Sequence, residues 1–394
     1  MMEKSFILGV ISLVKSAFTE EKAELPDDFD FARAYALAKS HRVIPLLYYG
    51  IVNSGIELEA NLNSKYFAAT CQSIAVGEKQ KFELSNLSEK FEENGIDFMP
   101  LKGSVIRSLY PKQEMRSMGD ADILIHTEQY DKIVPILANN GFTFVKENLN
   151  ELCWQKLPFY IELHRYLVSP SHKDYFKVFG NGWQLAKPSE GFKHRFEMSD
   201  EDFFVFLFAH FTKHYRSSGI GIKHMTDIWV YLKAKPELDI KYIERELDKL
   251  KMLTFYKNVL RTVNAWFENA EFDDITYLIT EKIFSSGAFG TRDSYVKSNA
   301  LKDLKSGEVK NIRVKRVFDA VFLPYKNMCI LFPFLKKAPV LLPFMWIYRG
   351  VYTVFCKNGA LTSHYNEIKG LSPEQLSEYQ KELNSVGLDY HFEE

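Results

Sequence analysis

Two acidic side chains stand at the start of a short apolar segment. The run GDADILI at residues 119–125 is typical of a buried strand, because aliphatic residues follow the two acids. Side chains alternate across a strand, so Asp120 and Asp122 point to the same face and converge. Two carboxylates placed in this way repel each other unless a cation lies between them. Such oxygen ligands suit Mg²⁺ or Mn²⁺, which bind through carboxylates together with substrate phosphates.

A Gly-Ser turn precedes this strand. Residues 98–101 are typical of a shorter strand, after which Lys102-Gly103-Ser104 leads into an apolar-periodic segment that predicts a helix over 104–109. Such a turn at a helix start is suited to binding a phosphate. It offers free backbone N–H groups, the positive end of the helix dipole and a hydroxyl. The strand, turn and helix therefore predict a phosphate-binding turn.

A third acid, Glu162, lies in the apolar segment FYIELH at residues 159–164. If this segment is a strand, Glu162 shares its face with Tyr160 and His164. A third carboxylate is what two metal ions need to clamp an in-line phosphoryl transfer. We therefore predict that Glu162 joins the acid pair as a metal ligand.

These parts, in this order, resemble the nucleotidyltransferase superfamily of DNA polymerase beta type. More narrowly, the bacterial uncharacterised nucleotidyltransferase family, often called nucleotidyltransferase family 5, is similar in the segments LKGSVIRSLYP, MRSMGDADILI, IELHRYL and AHFTKHYRSSGIGIKHMTDIWVYL. The likeness spans roughly residues 35–235, with weaker similarity as far as 346–349. One departure is the connection at 110–119, which is longer here than in many superfamily members.

The resemblance implies an α/β (α+β) fold, in which a small mixed sheet is flanked by helical regions on its N-terminal and C-terminal sides. It implies a metal-dependent enzyme that moves a nucleoside monophosphate from a nucleoside triphosphate (NTP) to an acceptor and releases pyrophosphate. Asp120, Asp122 and Glu162 would hold Mg²⁺ or Mn²⁺ and carry the catalysis, and Gly103-Ser104 would bind the β,γ-phosphates.

Charged residues near these motifs are further candidates for nucleotide binding. Lys102 and Arg116 could neutralise phosphate charge, and Arg116 also resembles a family position just before the acid pair. The segment GIKHMTDIWVYL resembles part of a nucleotide-binding helical domain, so Lys223 or Asp227 could touch phosphate or base. The alternative is that these two are surface residues on a core helix.

His210 and His214 stand four residues apart in a predicted helix. Two histidines at this spacing can hold zinc, but no HExxH motif accompanies them, which disfavours a zinc site. By the family resemblance, Lys213 and His214 are also candidates for contact with phosphate or base.

Composition bounds the class of protein. A chain of 394 residues with 46% hydrophobic content can form two or three packed units. The formal net charge of −1 gives no global field for nucleic-acid binding. Four widely spaced cysteines without a CxxC pair oppose a disulfide framework and a structural zinc site, so we expect reduced thiols in a cytoplasm. No GxGxxG follows a strand and no GxxxxGK[ST] occurs, which disfavours Rossmann and Walker-type nucleotide binding.

The apolar stretch near the N-terminus predicts an amphipathic helix rather than a signal peptide, because the run is short and lacks a clear cleavage site. A long helix is expected at 66–93, with Phe67, Phe82 and Leu87 among its periodic apolar residues.

Four regions follow from the patterning: an N-terminal helical region (1–95), an α/β core (96–168), a helical nucleotide- or acceptor-binding region (169–284), and a loop with a C-terminal helical region (285–394).

Within the core, strands are predicted at 97–101, 120–126, 142–146 and 160–167, and helices at 104–109 and 128–139. Residues 285–309 show no sustained period and predict a long loop.

The run 328–348 is very apolar, but Lys336 and Lys337 lie at its middle and three prolines interrupt it. Two lysines at a bilayer centre would cost roughly 5 kcal/mol or more, so we expect no transmembrane span. A buried hairpin of helices is the expectation, with docking to a membrane surface or to a partner as the alternative.

Two other functions remain open. A toxin-like enzyme could add nucleotides to transfer RNA, although the neutral net charge gives it no support. A catalytically silent protein could bind a nucleotide or a partner, but the intact acids Asp120, Asp122 and Glu162 speak against that. The acceptor stays open among a sugar, another small molecule, a protein and an RNA.

Overall fold

A mixed five-stranded sheet lies near the middle of the chain, with helical regions before and after it. The computed structural model describes residues 2–19, 21–170, 172–288, 290–305, 322–356 and 373–389. The strands of the main sheet are β1 Phe98–Pro100, β2 Ala121–Ile125, β3 Thr143–Glu147, β4 Glu151–Lys156 and β5 Phe159–His164. A separate ribbon pairs β6 Lys187–Pro188 with β7 Phe196–Glu197. The predicted α/β class, with helices at both ends, is confirmed.

The strand order in the main sheet is β1-β2-β5-β4-β3. Strands β2 and β5 run parallel, and the other neighbouring pairs are antiparallel. Because parallel neighbours need a crossover connection, the chain between β2 and β5 leaves the sheet through a helix before it returns. The two strands that carry the predicted acids are therefore neighbours.

Helices make up most of the remaining described chain. Those before and within the sheet are α1 Lys4–Ser16, α2 Phe31–His41, α3 Ile44–Asn53, α4 Ala60–Glu93, α5 Gly103–Ile106 and α6 Tyr130–Asn139. Those after it are α7 Lys173–Phe179, α8 Asp200–Arg216, α9 Ile222–Ala234, α10 Ile240–Lys249, α11 Leu253–Phe267, α12 Asp274–Ser286, α13 Arg292–Lys305, α14 Tyr325–Leu331, α15 Leu342–Cys356 and α16 Pro373–Ser385.

The sheet separates two hydrophobic cores. Ala121, Ile123 and Ile125 of β2 face one core, which also contains residues of α4 and α6. Leu124 faces the other core, which is formed largely by the helical regions before and after the sheet. Since side chains alternate along a strand, Asp122 lies on the same face as Leu124. The acids of β2 and β5 therefore point toward the helical region that follows the sheet.

The start of α8 shows why the sequence folds locally as predicted. The hydroxyl of Ser199 accepts a hydrogen bond from the backbone N–H of Asp202, and three acids occupy the first turn of the helix. This cap and the favourable charge at the positive end of the dipole stabilise the helix start. Eleven residues of α8 are buried, most of them aromatic or aliphatic, so α8 is a central element of the helical core.

The long helix α4 buries a face that its apolar residues mark only in part: Leu87 and Phe91 are buried as predicted. Phe67 and Phe82 are 57% and 67% exposed, although the periodicity suggested that both pack inward. Glu83 is buried, and its carboxylate pairs with the Lys156 ammonium at 2.7 Å. A buried charge is tolerated here because a partner from a distant strand compensates it.

The predicted loop at 285–309 is wrong over most of its length. Helix α13 spans Arg292–Lys305, and its residues Val296, Ala300 and Leu301 are buried. Polar residues make up nine of the 14 positions of this helix, so its apolar period is weak in the sequence. The rest of the predicted loop, from 306 on, lies outside the described residues.

The predicted helical hairpin around 328–348 is present, but the expectation that it is buried is wrong. Helices α14 and α15 are joined by short 3₁₀ turns, Pro333–Lys336 and Pro339–Leu341. Among the described side chains, Met328, Cys329 and Leu335 form a small buried cluster between them. In the described part of the chain, no helix combines the length and the apolarity that crossing a membrane requires.

Candidate metal and nucleotide site

The parallel pairing of β2 and β5 sets two acids side by side. Asp122 and Glu162 are direct partners in the strand register, and His164 lies two residues further along β5 on the same face. Ligand atoms of Asp122, Glu162 and His164 lie within 4.8 Å of one another. Asp120 lines the same cavity but is outside this close group.

Among the acids of the site, Asp122 has the strongest hydrogen-bond partners for its negative charge. One of its oxygens, Oδ1, accepts a hydrogen bond from Lys102 Nζ at 2.8 Å and another from His164 Nε2 at 2.7 Å. Burial by itself would raise the pKa of this carboxyl, but Lys102 and His164 hold the pKa well below its usual range. Asp122 is therefore ionised at neutral pH.

Glu162 is less well compensated. Burial raises its pKa to about 7, with further contributions from the negative charges of Asp120 and Glu151. Its neighbours are weak partners: Cys153 Sγ on β4 lies 3.7 Å from Oε1, and His164 Nε2 on the same strand lies 3.8 Å from Oε2. The carboxylates therefore lack enough neighbouring positive charge to balance them. A bound cation would supply that charge.

Asp120 shows the same shortage of positive charge. Burial and the Asp122 carboxylate raise its pKa above the usual value, against the opposing effects of Lys102 and Lys223. Asp120, Asp122 and Glu162 therefore line one cavity together with Lys102, which already pairs with Asp122. This donor set fits a divalent cation.

The turn after β1 places Lys102 in an unusual backbone conformation. Its φ is 46° and its ψ is −116°, a region that residues with a side chain seldom adopt. This conformation accompanies the ion pair of Lys102 with Asp122 across the neighbouring strand. The turn therefore brings a positive charge into the acid cluster.

Gly103 allows an arginine to pass close to the backbone. A Cβ at this position would lie 2.4 Å from Arg116 Nη1, so any side chain here collides with the guanidinium. Helix α5 is only four residues long and continues as a 3₁₀ turn, Arg107–Leu109. Ser104 borders a different cavity behind the turn, and its Oγ is buried with no partner among the described residues. A phosphate role for Gly103 and Ser104 stays a prediction.

Arg116 and Asp227 bind each other. Arg116 Nε and Nη2 donate to the two oxygens of Asp227 at 3.1 and 2.9 Å, and Tyr110 Oη donates to the same carboxylate at 2.7 Å. Both charged groups are buried, so the interpretation of Asp227 as a surface residue is wrong. The pair joins the connection before β2 to helix α9, on the side of the cavity opposite the sheet.

Helices α8 and α9 supply a wall of basic groups across from the acids. His210, Lys213 and His214 of α8, with Lys223 and His224 of α9, line the same cavity of about 390 Å³ as the acids. Burial lowers the pKa of Lys223 to about 8, the nearby Arg116 adding to this effect.

The two histidine rings of α8 pack edge to face at a centroid distance of 4.4 Å. Burial holds the pKa of both His210 and His214 well below the usual value, so both are neutral at pH 7. Neither belongs to a group of three converging metal ligands in the described parts of the chain. They offer hydrogen-bond donors and acceptors to a ligand in the cavity.

Sequence reasoning missed strand β4 and the residues that it brings to the site. Glu151 and Cys153 lie on the acid face, because Cys153 is the register partner of Glu162 and Glu151 that of His164. A second group of three ligand atoms within 4.8 Å consists of Glu151, Cys153 and Glu162. The signal was the alternation of polar and apolar residues in ELCWQK, which is typical of a strand.

The mixed sheet thus presents acids from two parallel strands toward helices α8 and α9 across one cavity. A family model described as "Uncharacterised nucleotidyltransferase" matches residues 27–268, and the chain belongs to that family. The match covers the sheet, the acid cluster and both helices of the basic wall. No curated protein and no solved structure matches the chain.

Proposed function

We propose that this protein is a metal-dependent nucleotidyltransferase that moves a nucleoside monophosphate from an NTP to an acceptor and releases pyrophosphate. The observation that carries the proposal is the pairing of Asp122 with Glu162 on adjacent parallel strands, with Asp120 in the same cavity. The family membership supports the use of an NTP. Since NTPs are made and kept in the cytoplasm, we place the reaction there.

The donor set supports Mg²⁺ or Mn²⁺ as the cofactor. Asp122 and Glu162, with His164 or Asp120, would hold the ion, and their shortage of positive charge supports this assignment. When bound, a divalent ion neutralises phosphate charge and lowers the pKa of a coordinated hydroxyl.

Asn150 provides a test of whether His164 fits this role. Asn150 Nδ2 lies 3.2 Å from His164 Nδ1, while Asn150 Oδ1 is buried and has no partner among the described residues. A half-turn of the amide would let Oδ1 accept from Nδ1–H, and Nε2, which donates to Asp122 in this structure, would then carry a lone pair for a metal in place of that hydrogen bond. The second partner that such a ligand needs is therefore present.

The reaction requires the acceptor oxygen to attack the α-phosphorus of the NTP. A bond forms between that oxygen and phosphorus, the bond to the pyrophosphate oxygen breaks, and the acceptor proton leaves. Glu162 would receive or direct that proton, because its position two strands from β1 separates it from the turn where the leaving phosphates would lie. Lys102 and Lys223 would neutralise phosphate charge, and Arg116 with Asp227 would position the turn.

The decisive experiment follows a label from the NTP to a product. The purified protein is incubated with each NTP labelled at the α-phosphate or at the γ-phosphate, with Mg²⁺ or Mn²⁺ and a cell extract. We expect an α-labelled product and free pyrophosphate. A product that carries the γ-label would overturn the proposal, and so would nucleotide binding without any transfer.

Matched variants tie the activity to the site. Glu162→Gln should lower the transfer rate by roughly two to four orders of magnitude with little change in nucleotide affinity. Asp122→Asn should abolish transfer and weaken Mn²⁺ binding. Asp131→Asn changes an exposed acid on α6 in the same way and should leave the rate unchanged. Equal rates in all three variants would rule out this site.

Treating the labelled product with nuclease or protease identifies the acceptor class. Loss of the label from large material after nuclease treatment would indicate a transfer RNA or another RNA. Loss after protease treatment would indicate a protein, and resistance to both would indicate a sugar or another small molecule.

A further inference from the structure

Helix α15 carries an apolar stripe that faces away from the protein. Phe344, Ile347, Tyr348 and Val351 are 67%, 66%, 55% and 53% exposed. Their spacing of three, four and seven residues places all four on one side of the helix. Large apolar side chains that are exposed together in this way mark a surface that binds something.

The opposite side of α15 holds the stripe in this orientation. Leu342, Met345 and Trp346 pack on the small cluster of the hairpin, and Trp346 Nε1 donates to the carbonyl of Leu323 at 2.8 Å. The hairpin thus has its own inner face, and the exposed stripe is its outer face. Val340, which is 77% exposed, and Phe334, which is 46% exposed, add to the exposed apolar surface of the hairpin.

The sequence of this segment carries only positive formal charges. Between residues 320 and 366 the sequence contains no Asp or Glu, yet it contains Lys326, Lys336, Lys337, Arg349 and Lys357. Lys336 and Lys337 are exposed on the turn between the two helices. This balance differs from the whole chain, whose net charge is −1.

From this combination we infer that the hairpin of α14 and α15 docks on the surface of an anionic lipid bilayer. Aromatic and aliphatic side chains at the headgroup level, with basic residues beside them, are the features of interfacial membrane helices. The 15 residues of α15 give a length of about 22 Å, which is too short to cross a hydrocarbon core of about 30 Å. The helix would therefore lie on the membrane and not span it.

An anionic lipid surface fits better than a second copy of the chain. Two copies that met through this hairpin would bring Lys336 and Lys337 toward the same basic residues of the other copy, with no acid in this segment to compensate them. A lipid surface supplies the negative charge and the apolar layer together.

The position of the hairpin links membrane docking to the supply of an acceptor. This link rests on the proposed function. Leu323, Asn327 and Leu331 border a cleft that also includes Glu151 and Lys213, and these last two line the main cavity. Docking would bring the opening of the active cavity close to the headgroups. An acceptor held at the membrane surface could then reach the acids.

The test is flotation of the purified full-length protein with lipid vesicles, without any NTP. We expect binding to phosphatidylcholine vesicles that contain a quarter phosphatidylglycerol, weaker binding to phosphatidylcholine alone, and loss of binding at high salt. Phe344→Ser with Ile347→Ser should weaken binding at least tenfold. Lys336→Ser with Lys337→Ser should remove the preference for phosphatidylglycerol.

Phe82→Ser is the matched control, because Phe82 on α4 is as exposed as Phe344. This variant should bind vesicles like the parent protein. An unchanged thermal midpoint would show that each variant is folded. Absence of vesicle binding, or equal binding of all variants, would overturn the inference. Self-association that disappears with Phe344→Ser and Ile347→Ser would also overturn it, in favour of a second copy. Because no NTP is present, the outcome is independent of whether transfer occurs.

Discussion

Glu162 shows how the fold places an acid where its charge is costly. The carboxylate lies in a parallel strand beside Asp122, and burial with Asp120 nearby raises its pKa to about 7 from the usual 4.5. A structural acid on a sheet is normally exposed or paired with a base, and the basic groups near Glu162, His164 and Lys102, both bind Asp122. Perturbed acids in a cavity are characteristic of functional sites.

This placement predicts a pH dependence of stability. An acid whose pKa is raised by folding holds its proton more tightly in the folded state, so stability falls as pH rises from about 4.5 to about 7. Glu162→Gln removes this penalty. In the presence of a chelator, we expect the variant to be more stable than the parent by roughly 2–3 kcal/mol at pH 8 and equal to it near pH 4.

Urea unfolding at the two pH values measures this difference. Asp131→Asn, an exposed acid, should show no such pH-dependent gain. A variant that is less stable than the parent at pH 8 would show that the carboxylate is stabilised by its surroundings, contrary to the unbalanced negative charge described here.

Among the elements, the turn after β1 and helix α9 depend on each other through Arg116. The guanidinium passes next to Gly103 and binds Asp227, and both charged groups are buried. Removing one partner leaves a buried charge alone, so Arg116→Met should cost about 3–5 kcal/mol of unfolding free energy. The double variant Arg116→Met with Asp227→Leu should cost less than the two single changes added together.

Gly103→Ala tests the same contact from the side of the turn. In the parent protein we expect a loss of about 1–3 kcal/mol, because the new methyl group displaces the guanidinium. In the Arg116→Met background the loss should be smaller, as the colliding group is gone. Gly350→Ala on α15 is the control, since a Cβ there meets no atom within 4 Å. Equal losses in both backgrounds would contradict this account of Gly103.

The basic wall of α8 and α9 should contribute to NTP binding through Lys223. Burial lowers the pKa of Lys223 to about 8, so the side chain is positively charged below that pH and loses its charge above it. We expect NTP affinity to fall as pH rises through 8, and Lys223→Met to weaken binding about tenfold at pH 7 and to remove this dependence. Titration calorimetry with a non-hydrolysable NTP measures both effects.

Lys241→Met is the comparison for this prediction, because Lys241 is exposed on α10, away from the cavity. Its affinity should follow that of the parent at every pH. If Lys223→Met kept the full pH dependence, another group would be responsible for it.

The sequence predicted the elements whose signals are local. Strand β2 is a continuous aliphatic run after two acids, and the cap at Ser199 marks the start of α8. Helix α13 was missed because polar residues dominate it, and strand β4 because its alternation extends over only six residues. The apolar pattern of α4 predicted the buried face of this helix only in part, since the helix also buries Glu83 through a salt bridge to Lys156.

The candidate site was also predicted in part, because some of its signals are local in the sequence. The alternation of residues in β2 and β5 correctly placed Asp122, Glu162 and His164 on one face of the sheet. The pair Arg116 and Asp227 could not be predicted, because a contact between residues so far apart follows from packing and not from spacing.

At the scale of the whole molecule, the C-terminal helix completes the core that supports the site. Leu383, Val386 and Leu388 are buried in the same core as the phenylalanines of α8, and Tyr379 Oη donates to the carbonyl of Arg216 at 3.0 Å. The end of the described chain therefore packs against the helix that carries the basic wall.

Leu383→Ala should therefore destabilise the whole protein and not only the last helix. We expect a loss of about 2–5 kcal/mol in urea unfolding, the range for a large buried side chain cut to alanine. Leu331→Ala makes the same chemical change at a side chain that is 53% exposed and should cost far less. A small local effect of Leu383→Ala would show that α16 is not part of the cooperative core.

The parallel pairing of β2 with β5 also determines when the site can exist during folding. Helix α6 and the β3–β4 hairpin lie between these strands in the chain, and β5 must be inserted between β2 and β4. Pairings across such sequence distances form slowly, after local helices and hairpins. The unfolded chain does not hold Asp122, Glu162 and His164 together, so a tight Mn²⁺ signal during refolding should arise only with the final insertion of β5. The onset of tight Mn²⁺ binding would therefore report when the last step in the assembly of the sheet takes place.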